Sequence, residues 1–394
     1  GSGPGGYAAA FRAADLGRKV IIVDKDPTLG GVCLNRGCIP SKTLLHIAKV
    51  LEETESLKKM GVSFAKPKID INSVRDWKNK IINQLSGGIA QMAKARKVET
   101  IEGLATFISN TEIQVQTKSK KENIIFDHCI IAAGSSSSKI PGIPFDNKNV
   151  LTSKTALDIE KIPKNLLVIG GGYIGLELGI ALRRLGSEVS VIEGLDKVMA
   201  IFDDELRRPL TTWLRKNGVK THTNCLAQGA EIKDEKVELS WKNGEGETQT
   251  ETFDRVLVTV GRRPNTQGWG LENMGLRMDT SGRFIRIDEQ CKTSMKGVYA
   301  IGDVSGEPML AHRASAQGEM VAEIIAGQKR KFDPVAIPAI VFTEPEIVSV
   351  GLTPDEAIDA GEEIITGKFP LAANGRALTM EAEKTGGFVR VVAR

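Results

Sequence analysis

Residues 170–193 read GGGYIGLELGIALRRLGSEVSVIE. Gly170, Gly172 and Gly175 fit G-x-G-x-x-G. The apolar run NLLVIG leads into them, a helix of small and apolar residues leaves them, and a second apolar strand closes on Glu193. This is the order of a dinucleotide-binding βαβ unit. The first glycine makes the tight turn, the second lets backbone approach a pyrophosphate, and the third lets the helix pack on the strand. The phosphates meet free N–H groups at the helix N-terminus, and the acid accepts the ribose hydroxyls. A carboxylate at Glu193 would repel a 2′-phosphate, so this motif favours NAD over NADP.

The pattern occurs twice. Residues 1–24 read GSGPGGYAAAFRAADLGRKVIIVD, with Gly1, Gly3 and Gly6 in the turn and Asp24 closing the strand. In both copies the acid follows the first glycine by 23 positions. A lone glycine motif is weak evidence. Two with matched acids point to two dinucleotide cofactors that exchange electrons. The first copy has no leading strand and the chain stops inside VRVVAR, which reads as a strand, so both ends are expected to be cut.

The composition of the 394 residues is that of an ordinary globular protein, 41% apolar and 26% charged, long enough for two or three domains. The net charge of +4 comes without a basic tail or an aromatic-interleaved basic stripe, which argues against nucleic acid. The basic run Lys94–Lys97 reads as a solvated helix face, and so do Arg183 and Arg184. No apolar run reaches the ~20 residues of a membrane span. Five scattered cysteines argue against a disulfide-rich secreted scaffold.

Between the copies, 71–98 reads as a long amphipathic helix interrupted at Gly87-Gly88. Short strands follow, including EIQVQT and FDHCIIAAG, then a linker in SSSSKIPGIP. Polar hairpins after the second copy turn at Asn243-Gly244. The run GVYAIGDV reads as a buried strand ending in an acid, followed by a helix from about His312 to Ala326. FDPVAIP opens a last region with strands near AIVFT and FVRVVAR.

Cys33 and Cys38 sit in GGVCLNRGCIPSK. Zinc would need two further ligands close by, and Cys129, Cys225, Cys291 and the four histidines are scattered, so no metal is expected. A staple across so short a loop adds little. Two buried, reduced thiols are a third reading. A redox pair fits better, because Gly37 and Pro40 mark a helix start at Cys38, where a thiolate is favoured.

These motifs, with VGRRPN, YAIGDV and PMLAH in the same order, resemble the pyridine nucleotide–disulfide oxidoreductases, and within them the dihydrolipoamide dehydrogenase branch. The resemblance runs the whole length of the chain. It implies an α/β protein with two Rossmann-like domains and a partial α+β interface domain. The expected divisions are 1–144 for FAD, 145–263 for NAD, 264–332 for FAD again, and 333–394 for an incomplete dimerisation domain. It implies FAD on Gly1, Gly3 and Gly6, with Asp24 on the ribose, where the family more often has Glu. Lys42, Ala105, Gly134, Asp303 and Ala311 would also contact FAD. NAD would lie on Gly170, Gly172, Gly175, Glu193 and Gly261.

Cys33 would exchange with the dihydrolipoyl dithiol and Cys38 would face the flavin, with Lys42 paired to Glu177. Expected partners are the lipoyl domain of a 2-oxo acid dehydrogenase complex and, in the full-length protein, a second copy. The expected compartment is bacterial cytoplasm, or else the mitochondrial matrix. The family's His–Glu base lies in a HAHPT-like segment that residues 1–394 do not contain. His46, His128, His222 and His312 read as structural, and lipoamide turnover by this chain is expected to be impaired.

Overall fold

The computed structural model describes residues 1–271 and 274–394. The chain divides into two units. One comprises 1–40, 73–138 and 262–334; the other comprises 41–72, 139–261 and 335–394.

In the first unit, α1 (Pro4–Asp15) leads to strand Ile21–Asp24, which pairs in parallel with Glu99–Glu102. A second parallel pair joins Cys129–Ile131 to Val298–Ala300. A three-stranded antiparallel sheet of 104–109, 112–116 and 121–125 lies in the same unit. Helix α1 lies tightly against α8 (Ala311–Ile325). A Cβ added at Gly318 would fall 2.4 Å from the Gly5 carbonyl oxygen and 3.1 Å from the Ala9 nitrogen, so Gly318 is what lets the two backbones meet.

Two helices follow the first strand: the short α2 (Gly31–Arg36) and the long α3 (Cys38–Ser56). Helix α4 (Ile71–Ala95) then runs without a break through Gly87 and Gly88, contrary to the interruption expected from the sequence. A helical glycine costs only about 1 kcal/mol against alanine. The buried stripe at Ser86, Ile89 and Ala93 pins the helix across both. Helices α3 and α4 each continue from one unit into the other.

The second unit is built on a five-stranded, wholly parallel sheet. Its order is Lys220–His222, Glu188–Ile192, Asn165–Ile169, Arg255–Val258, Val150–Thr152. The central strand is covered on both faces: Leu166, Leu167, Val168 and Ile169 are all buried, which is why NLLVI reads as continuous apolar sequence. Thr152, at the end of the edge strand, caps helix α5 (Ser153–Ala156) in a capping box with Thr155. Helices α6 (Tyr173–Arg184) and α7 (Asp204–Lys216) follow the second and third strands in sequence. In an antiparallel meander, 226–233, 236–242 and 248–253, the middle strand alternates in burial, and its Val237, Leu239 and Trp241 join the core with Leu167 and Val256. The last region adds two hairpins, 339–341 with 347–349 and 365–370 with 388–393.

Two other expectations change. Ser135–Ser137 are not linker: they pair antiparallel with Arg262–Pro264, and the division between units falls after Ser138. Arg184 is not solvent-facing. Its guanidinium is buried, lies 5.1 Å from the Trp213 ring centre and is ion-paired to Glu52 and Glu344. Arg183 also turns inward, donating from Nε to the Asn217 carbonyl at 2.7 Å. A sequence window sees two charges at a helix end; it does not see carboxylates arriving from elsewhere in the chain.

Candidate active site and cofactor sites

The two glycine turns have the same internal geometry. Gly1 N–H donates to the Val23 carbonyl at 2.9 Å, and Gly170 N–H to the Ile192 carbonyl at 2.8 Å. In each, the acid at the end of the next strand reaches back to the second residue of the motif. Asp24 accepts the Ser2 N–H at 2.5 Å, and Glu193 accepts the Gly171 N–H at 2.6 Å. The acids therefore brace the loops. Ser2 adds a feature the sequence reading missed. It is buried, and its hydroxyl donates to Asp24 at 2.7 Å, holding the short acid in place.

The glycines differ in what requires them. A Cβ at Gly6 would fall 1.9 Å from the Gly1 oxygen, and one at Gly175 would fall 2.3 Å from the Gly170 oxygen. Those positions are closed by packing. The middle glycines are open: a Cβ at Gly172 would meet nothing within 4 Å, and one at Gly3 only the Gly31 Cα at 3.9 Å. Their backbones, φ −77° at Gly172 and φ −69° at Gly3, suit any residue. Nothing inside the protein demands glycine there, and both positions leave room for a ligand to approach the backbone closely. Helices α1 and α6 also start with no side-chain cap and no acid in the first turn, whereas α7 is capped by Asp203. Two uncapped N-termini beside open glycines fit two pyrophosphates. Gly172→Ala is therefore expected to change stability by less than about 1 kcal/mol. It should weaken NADH binding about tenfold, equivalent to ~1.4 kcal/mol. Calorimetric titration with a thermal melt checks both, and unchanged NADH affinity would defeat the assignment.

A cavity of about 600 Å³ opens beside Asp24, lined by Asp26, Thr28, Ser86, Gly87 and Glu102 among others. Gly87 of α4 thus faces space rather than packing. Other expected FAD contacts are distributed around the same unit. Gly134 adopts φ +67° after strand Cys129–Ile131, Ala105 lies in strand Leu104–Ser109, and Ala311 opens α8. Asp303 sits in a short 3₁₀ turn and accepts the buried Ser135 hydroxyl, which in turn accepts Arg262 Nε at 2.7 Å. In the second unit, Gly261 has φ +104°, with nothing within 4 Å of a Cβ placed there.

Cys33 and Cys38 are bonded to each other, with Cα atoms 4.7 Å apart. The segment is docked on the first glycine turn: Gly30 N–H donates to the Ser2 carbonyl at 2.9 Å, and a Cβ at Gly31 would fall 2.5 Å from the Gly3 Cα. Gly30 and Gly31 both have positive φ, so GG ahead of the cysteine is a backbone requirement. Cys38 is the first residue of α3, where a released thiolate meets the positive end of the helix dipole. Lys42 lies one turn further along α3.

The other thiols are unsuited to exchange. Cys291 is buried, which pushes its thiol up to about 12, and burial raises Cys225 as well. Among the described residues no group of His, Cys, Asp and Glu forms a metal site.

In the second unit, Lys42 Nζ donates to Glu177 Oε2 at 2.7 Å, as the resemblance implied. Phe342 was not anticipated. Its N–H donates to Glu177 Oε1 at 3.0 Å, and the Lys42 ammonium lies 4.5 Å from its ring centre. All four histidines are exposed. His128 precedes its strand by one residue rather than lying in it.

The family pattern described as pyridine nucleotide-disulphide oxidoreductase matches residues 1–318, and its dimerisation domain matches 337–394. The chain belongs to this family. The dihydrolipoyl dehydrogenase of Pseudomonas aeruginosa is 46% identical over all of this chain and 84% of its own length. That of Geobacillus stearothermophilus is 44% identical over all of this chain and 83% of its own length. Among solved structures, LpdA from Mycobacterium tuberculosis superposes with a TM-score of 0.90 at 28% identity, covering all of this chain and 86% of that one. The HOCl-induced flavoprotein disulfide reductase RclA from Escherichia coli gives 0.86 at 25% identity, covering all of this chain and 85% of that one. The fold is therefore the family's mixed α/β architecture with a dimerisation domain, and the cofactors of the family are FAD and NAD. Among the described residues no helix is long and apolar enough to cross a membrane.

Proposed function

We propose that the chain is an FAD- and NAD-dependent disulfide oxidoreductase that oxidises protein-bound dihydrolipoamide to lipoamide. The observation that carries this reading is the Cys33–Cys38 bond seated on the first glycine turn. A substrate thiolate attacks Cys33 Sγ, the Cys33–Cys38 bond breaks, and Cys38 leaves as a thiolate at the start of α3. The second substrate thiolate then attacks the substrate sulfur of the mixed disulfide, closing lipoamide and releasing Cys33. Two thiol protons are lost; the electron pair rests on the two cysteines. Bound FAD supplies the two-electron chemistry that carries this pair to NAD⁺ as hydride. Lys42, held by Glu177, follows Cys38 by one turn in the sequence of α3.

We assign FAD to Gly1, Gly3, Gly6, Asp24, Lys42, Ala105, Gly134, Asp303 and Ala311, and the cavity beside Asp24 offers room in the same unit. We assign NAD to Gly170, Gly172, Gly175, Glu193 and Gly261. A homodimer is supported by the match to the dimerisation domain and by exposed Val348, Val350, Leu352, Phe369, Val389 and Val391 within it. We take the partner to be the lipoyl domain of a 2-oxo acid dehydrogenase complex in the bacterial cytoplasm, because the named relatives are bacterial dihydrolipoyl dehydrogenases.

The test is a reductive titration of the FAD-loaded chain without oxygen. One equivalent of dihydrolipoamide should reduce Cys33–Cys38 and add a long-wavelength band to the flavin spectrum, and NAD⁺ should then yield NADH. No reaction with dihydrolipoamide, but oxidation of NADH or NADPH by glutathione disulfide, would place the chain on another branch.

A further inference from the structure

Helix α6 carries two buried charged side chains, Glu177 and Arg184, seven residues apart and so on one stripe, two turns from each other. Each meets the same two neighbours. Glu177 takes Lys42 from α3 and the Phe342 N–H from the last region. Arg184 takes Glu52 from α3 and Glu344 from the last region, the latter at 3.1 Å. Lys49 of α3 approaches Glu344 at 3.8 Å, which balances the second cluster at two positive and two negative charges. The three segments are thus joined by two polar rungs, one at Lys42 and one two to three turns further along α3.

The second rung is a poor device for stability alone. Burial pushes the Glu52 carboxyl up, Arg184 opposes this, and the nearby charge of Glu344 pushes it up again. Arg184 Nε is buried with no hydrogen-bond partner. An apolar contact would hold the helices together at lower cost. What directional charges add is registry: α3 can neither slide nor rotate on α6 without breaking Arg184–Glu52.

We propose that Arg184, with Glu52 and Glu344, is a positioning residue that sets the register of α3 on α6, so that Lys42 meets Glu177 on the helix that Cys38 opens. This rests on the proposed function. It assigns to Arg184 a role in the chemistry of Cys38 although it lies nearly four turns of α3 away.

The test compares Arg184→Met, the paired variant Glu52→Gln/Glu344→Gln and wild type, all as the FAD-loaded chain. Two readouts are used: amide exchange along 42–52, and the long-wavelength band after two-electron reduction. Both variants should show about tenfold faster exchange in 42–52, with the five-stranded sheet unchanged, because only the local opening equilibrium moves. The band should lose about half its absorbance or more at full FAD occupancy. Arg184→Lys, which keeps the charge but not the fork, should recover part of it. A lower melting temperature with unchanged band and unchanged local exchange would make the rung merely structural and overturn the proposal. If Arg184→Met does not fold, the paired variant decides. If wild type itself shows no band, the proposed function has failed, and the exchange of 42–52 alone then decides whether Arg184 sets the register.

Discussion

Cys38→Ser is expected to leave the chain folded and able to hold FAD while removing its dithiol chemistry. The bond it breaks closes a loop of sequence separation 5. Such a loop restrains the unfolded chain little, so the loss of stability should be at most about 2 kcal/mol. The chemical loss is of another order. Serine forms no disulfide with Cys33, so a dihydrolipoamide thiolate has no S–S bond to break and the site cannot take up the electron pair. Dihydrolipoamide-dependent NADH formation, relative to wild type of the same chain, should fall on the order of a thousandfold or more. The decisive measurement counts electrons rather than turnover. Wild type should accept two electrons at the disulfide and two at the flavin, and Cys38→Ser only two. An uptake of four electrons by the variant would mean that Cys33–Cys38 is not the redox couple.

Much of this site is legible in the sequence because its constraints are local. A glycine turn, the helix after it and an acid 23 positions on are fixed by backbone geometry within one βαβ unit, and both copies fold as the spacing requires. The GG ahead of Cys33 is likewise a statement about φ. The reading fails where the constraint is distant. Arg184 reads as a surface charge because its partners, Glu52 and Glu344, lie 132 and 160 residues away. Phe342 looks like part of an ordinary apolar strand, and only its position against Lys42 and Glu177 gives it a role. Gly87-Gly88 misleads in the other direction. Local propensity argues for a break, and burial of Ser86, Ile89 and Ala93 overrides it.

Arg390 shows how the last region is held to the second unit's sheet domain. It projects from strand Phe388–Ala393 and places both terminal nitrogens on Asp203, the N-cap of α7, at 3.1 and 2.5 Å. One of them also reaches Glu205 at 2.9 Å, and Lys368 from the paired strand reaches Glu205 at 2.6 Å. Arg390 and Asp203 are only 11% and 15% exposed, so the pair cannot fall back on water when broken. Arg390→Met should destabilise the chain by about 3 kcal/mol, the low end for a broken buried pair. The low end applies because Asp203 keeps the N–H donors of Glu205 and Leu206.

The cost should depend on pH with a definite sign. Burial pushes Asp203 up, but the Arg390 hydrogen bond, the Leu206 N–H and the Arg390 charge outweigh it and hold the carboxyl below its usual range. Lys368 and then Arg390 lower Glu205. Folded-state values below unfolded ones, which lie near ~3.9 and ~4.3, mean that the stability is fully present above those values and lost as pH falls through the lower, folded ones. Urea midpoints of wild type and Arg390→Met should therefore differ widely at neutral pH and converge below about pH 4 as both carboxyls protonate. A gap that stays constant on acidification would show that Arg390 acts through packing of its stem, and not through the charges of Asp203 and Glu205.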